Sequence, residues 1–136
     1  MKRPLMLLAS LSLLGGAALF EAYALTRQRL QLRVDAAAEH GAHALAEGRS
    51  IEAEVRRRLD AGPAIRPGAR IEIEQGPSGG RYRGWPNAVR VRVRQAWRPP
   101  LVPRGLAARL PLDVAATAVA VPPGPGHPGP VALRVE

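Results

Sequence analysis

RQRLQLRVDAAAEHGAHALAEG, residues 27 to 48, places Leu30, Val34, Ala37, Ala38, Gly41 and Leu45 at steps of three and four. That rhythm marks one face of an α-helix. The face is narrow and mostly alanine and glycine, so another helix or a sheet can approach it closely. Gly48 follows the last of these residues and ends the predicted helix.

Upstream, MKRPLMLLASLSLLGGAALFEAYAL carries Lys2 and Arg3 and then no charge across the 17 residues from Pro4 to Phe20. As a helix those residues span about 25 Å. Glu21 interrupts, and Ala22 to Leu25 bring the apolar stretch close to the ~20 residues that a bilayer requires. Leu5, Leu7, Leu8, Leu11, Leu13, Leu14, Leu19 and Phe20 are the candidate membrane-anchor side chains. No proline occurs from Leu5 to Gly62, so the apolar helix can run unbroken into residues 27–48. Two readings compete. A cleaved signal peptide fits the basic start and the small-x-small triplet Ala22-Tyr23-Ala24. A retained signal anchor fits the length of the apolar run and the helix beyond it, and is the favoured reading. Lys2 and Arg3 on one side nearly balance Arg27, Arg29 and Arg33 on the other, so charge alone does not orient the segment. The short N-terminal tail favours export of everything after Leu25.

Downstream, Ser50 can cap a second helix in SIEAEVRRRLDAGP, where Ile51, Val55 and Leu59 form a stripe. Glu52 and Glu54 in its first turn, and Arg56 to Arg58 later, suit the helix dipole. The period then changes to two. ARIEIEQ sets Ile71 and Ile73 against Glu72 and Glu74, and AVRVRVRQAW sets Val89, Val91 and Val93 against Arg90, Arg92 and Arg94. LPLDVAATAVAV, residues 110–121, reads as a third strand with small residues on both faces. The alternation of the first two predicts an antiparallel sheet covered on one side, with glutamates opposite arginines on the other. The chain thus divides into an anchor (1–25), a helical region (26–62), a small β domain (63–121) and a Pro/Gly-rich tail (122–136), the last too rich in breakers for a packed element. The fold class is α+β, a long helix, a short helix and a sheet of about three strands.

Composition narrows the chemistry. The 136 residues contain no cysteine and only 4% aromatics, so the core must be built from small aliphatic side chains without disulfides. The net charge is +9. Residues 63–136 hold most of it, eleven arginines against Glu72, Glu74, Asp113 and Glu136. Arg90, Arg92 and Arg94 are the candidate surface for an anionic partner. With Arg81 and Arg83 near Tyr82 and Trp85 they make the best case for nucleic acid, which the apolar segment and the neighbouring glutamates oppose. His40 and His43 stand three apart with Glu39 beside them, but His127 is the only other histidine, and so incomplete a ligand set points to a solvated face. Ser10, Ser12, Ser50 and Ser78 have no catalytic motif around them, and GPSGG lacks the lysine and helix of a phosphate loop. The sequence therefore points away from an enzyme and implies no cofactor.

The arginine-bearing helix that continues from an apolar N-terminal segment into Asp35-Ala36-Ala37-Ala38, and the small-residue strand VAATAVAV, resemble the TadE/TadG-like proteins of tight-adherence (Flp) pilus assembly. The resemblance covers the layout of most of the chain and about twenty residues of motif. It implies a non-catalytic, single-pass component of the inner (cytoplasmic) membrane, with its C-terminal domain periplasmic or otherwise extracytoplasmic. The implied partners are the membrane, other pilus-assembly or envelope proteins, and further copies of the chain. Pilin-like members of that family carry a glycine followed five residues later by glutamate. Gly16 and Glu21 have this spacing, but inside the apolar run and with Arg27 soon after, which argues against processing there. The alternative is an exported basic protein with a cleaved signal and affinity for polyanions.

Overall fold

A computed structural model describes residues 3–62, 65–77, 79, 83, 85–98, 105, 112–121 and 132–134, the last three by backbone alone. The first helix, α1 (Arg3–Ala46), is one uninterrupted rod of 44 residues, about 66 Å long. It ends where the chain must turn left-handed. Gly48 has φ 70°, the Gly48 amide donates to the Leu45 carbonyl at 3.1 Å, and the Arg49 amide donates to that of Ala44 at 2.8 Å. These two bonds satisfy two of the orphan carbonyls of the last turn.

Helix α2 (Ile51–Asp60) starts at Ser50, whose hydroxyl accepts from the Ala53 amide at 3.3 Å. Val55 and Leu59 are buried and Ile51 is half-buried. The sheet is an antiparallel meander in the order β1-β2-β3-β4, comprising β1 (Arg70–Gln75), β2 (Val89–Ala96), β3 (Asp113–Val121) and β4 (Ala132–Arg134). The three longer strands are those read from the sequence, β1 and β2 by their alternation and β3 as a run of small residues. Their register sets Glu72 opposite Arg92 and Glu74 opposite Arg90, and Val93 opposite Ala116.

One face of the sheet receives the helices. Leu30, Val34, Ala37, Ala38 and Ala42 of α1 form a single core with Val89, Val91, Val93, Val114, Ala116, Ala118 and Ala120, closed by Val55 and Leu59 of α2. Alanines on both sides of the seam let helix and sheet approach closely. Gly41 is a point of close approach, since a Cβ there would lie 2.8 Å from a Val55 methyl and 3.3 Å from one of Val89. Gln31 ties the same seam, donating to the Thr117 carbonyl at 2.9 Å and to Asp35 at 2.8 Å.

The tail corrects the sequence reading. Its composition predicts no packed element, yet Ala132–Arg134 pair with β3, Ala120 opposite Leu133. An open strand edge presents unpaired backbone groups that a short extended segment can satisfy, whereas composition averaged over the tail is dominated by its prolines and glycines. Residues 122–131, and Leu110 and Pro111 of the expected third strand, lie outside the described residues.

Candidate functional site

Three sets of residues are candidates, and α1 carries two of them. In its first half the eight large apolar side chains, Leu5 through Phe20, are each 38% to 75% exposed. They point in all directions around the helix, and none of them is buried by the rest of the molecule. Burying one such side chain is worth about 1.5–3 kcal/mol, so leaving eight in water forgoes a sum comparable to the whole stability of a small domain. Polar groups in this half are satisfied within the helix. The Ser10 hydroxyl donates to the Met6 carbonyl at 2.8 Å, and that of Ser12 to Leu8 at 2.9 Å, as a medium without water demands. The segment is long and apolar enough to cross a bilayer.

In the second half of α1 the packing face takes over. Leu30, Val34, Ala37, Ala38 and Gly41 are buried and Leu45 is half-buried. All of them lie against the sheet and α2 of the same chain. The changeover falls at Tyr23, whose ring meets Trp97 edge-on at 5.1 Å and 80°, while its hydroxyl reaches the Asp113 carbonyl at 3.5 Å. The folded domain thus begins two residues before the apolar stretch ends at Leu25.

The third set, the arginines of β2, lies on the far face of the sheet and is paired with carboxylates. Arg90, 6% exposed, donates through Nε to Glu74 at 2.9 Å, through Nη2 to the same carboxylate, and through Nη1 to the Gly79 carbonyl at 3.0 Å. Arg92 meets Glu72 at 3.5 Å and Arg94 meets Asp113 at 3.4 Å. A stripe offered to an anionic partner is therefore largely neutralised from within. Trp85 and Arg83 are exposed, and Arg81 and Tyr82 lie outside the described residues. His40 is half-buried and His43 exposed on α1. Among the described residues no three of His, Asp and Glu converge as a metal site would require.

Two features escape sequence reasoning because they join distant segments or neighbours in unforeseen number. Glu54, read as a favourable charge in the first turn of α2, is 8% exposed and gathers three arginines. Arg57 binds both its oxygens at 2.8 and 3.0 Å, Arg49 approaches at 3.2 Å and Arg58 at 3.5 Å. The hydrogen bonds from Arg57, helped by the nearby positive charge, hold this carboxyl below the usual carboxylate range against the opposing effect of burial. The second feature is an open cleft of about 680 Å3 beside α1, lined by Thr26, Arg29, Leu32 and Arg33 of the helix with Arg66 and Gln95 from the sheet layer. The Arg33 guanidinium occupies the space a side chain at Gly62 would need. No family model, no curated protein and no solved structure matches this chain.

Proposed function

We propose that the chain is a single-pass, membrane-anchored, non-catalytic component of tight-adherence (Flp-type) pilus assembly, working by protein–protein contact at the envelope. The observation that carries the membrane part is the change of character along α1. One helix is apolar on every side up to Phe20 and docked by one face from Leu30. The pilus part is supported by the resemblance in the arginine-bearing helix, the Asp35 to Ala38 run and the small-residue strand, now seen packed against each other. In this reading the helix leaves the bilayer without a turn because it is also the spine of the exported domain.

The rival, a cleaved basic protein that binds polyanions, meets two physical objections. Cleavage after Ala24 removes Tyr23, a member of the domain's packing. The basic strand it relies on is opposed by its own carboxylates.

The test is alkaline carbonate extraction of native membranes, with intact mass and N-terminal sequence of the protein recovered. Retention in the pellet, release by detergent and an intact N-terminus are expected, together with loss of pili when the gene is deleted. Free release by carbonate, or a mature chain beginning at Leu25, refutes the anchor. Normal piliation in the deletion strain refutes the pilus role.

A further inference from the structure

We infer that the cleft between α1 and the turn before β1 binds the phosphate of an anionic glycerophospholipid headgroup, using Arg29, Arg33 and Arg66. The inference rests on the membrane-anchored reading and adds a ligand to it. Arg29 and Arg33 are one turn apart on the same face of α1, and Arg66 closes the cleft from the turn before β1. That turn is held in place, because the Arg66 amide donates to the Gln95 side chain at 2.9 Å. Every described arginine of α2 and β2 has a carboxylate partner. Among the described residues, none of the three lining the cleft has one. Asp35, the nearest acidic residue along the helix, is engaged by Gln31. Three arginines thus line one cavity with no carboxylate to offset their charge, and phosphate oxygens match the guanidinium fork.

The height of the cleft selects the source of that phosphate. Arg29 stands four residues beyond Leu25, about 6 Å along the axis, and Arg33 about 12 Å beyond Leu25. The headgroup layer beyond the hydrocarbon is about 5–8 Å deep on each side. Helical side chains lean toward the N-terminus, here toward the bilayer. Leu25 and Leu32, on the same face, are 49% and 63% exposed, so apolar surface runs up to the cleft. Tyr23, two residues before Leu25, and the Trp97 ring packed on it lie where the apolar stretch ends, and aromatic rings favour that interface.

The experiment uses the full-length protein in detergent micelles, titrated with short-chain phosphatidylglycerol or phosphatidylcholine while Trp fluorescence is followed. Binding roughly tenfold to a hundredfold tighter for phosphatidylglycerol is expected. The preference should vanish in R29Q/R33Q/R66Q and persist in R56Q/R92Q. Because R33Q disturbs the contact with Gly62, the pair R29Q/R66Q serves as the second variant and should lose most of the preference with an unchanged unfolding midpoint. Equal affinity for the two lipids, or a preference that survives both variants, overturns the inference. Equally tight binding of inorganic phosphate or glycerol phosphate overturns the lipid as its source. Carbonate extraction of the same protein from vesicles separates the two levels: release sinks the anchored reading itself, whereas retention without lipid preference sinks only the headgroup site.

Discussion

The two halves of α1 share a backbone and a direction, yet they solve opposite problems. From Leu5 to Phe20 large leucines face every way and stay exposed. From Leu30 to Leu45 the helix shows the sheet a face of alanine, glycine and valine and is covered along it. Bulk without direction suits a medium that surrounds the helix. Small residues in a single stripe suit a solid neighbour that must come close. The position of each side chain, more than its hydrophobicity, therefore separates the half that is apolar on every side from the half that docks against protein.

The sharpest way to break this contrast is to truncate one leucine from each half. Leu30→Ala empties part of the core and should lower unfolding free energy by about 2–5 kcal/mol. Leu8→Ala should leave it unchanged. Denaturant titration in detergent, followed by Trp97 fluorescence, measures both, and equal effects would remove the distinction. Next in size is Gly41→Ala. The added methyl must push aside the Val55 and Val89 side chains, for a loss of about 1–3 kcal/mol by the same measurement, whereas Gly15→Ala, with open space around it, should be silent. A smaller effect is expected at the changeover. Tyr23→Leu removes the edge-on contact with Trp97 and should lower stability by about 0.5–1.5 kcal/mol, with a shifted Trp97 emission as its signature.

The last prediction concerns pH. The Glu54 carboxyl titrates lower in the folded chain than in the unfolded one. Its ionised form therefore favours the fold above the ordinary carboxylate range, and that contribution disappears as the pH falls through the lowered folded-state value. Wild-type melting temperature should drop on acidification through this window, and the dependence should be shallower in Glu54→Gln. Identical slopes would show that the three arginines do not depend on this charge.

Much of this architecture was legible because its causes are local. Three-and-four spacing marked both helices, Ser50 and Gly48 marked their ends, and the valine–arginine alternation of β2 predicted even the pairing of Glu72 and Glu74 with arginines across the strand. What was hidden is non-local. Three residues of the tail become a strand only because β3 leaves an edge open. Tyr23 meets Trp97 across more than seventy residues of chain, and Arg66 joins Arg29 and Arg33 only once α1 and the sheet have packed. The arginine stripe could be read as a surface for partners, but its neutralisation depends on strand register and on Asp113, which no periodicity announces.

The absence of any break in α1 has a rotational consequence. Each helical residue advances about 100° around the axis and 1.5 Å along it, so the compass bearing of the sheet is inherited from the apolar half as from a keyed shaft. Adding one residue between Leu25 and Leu30 would swing the glutamate–arginine ladder about a quarter turn while barely lifting it. Copies gripped along the same side of their apolar halves would all present that ladder in one direction.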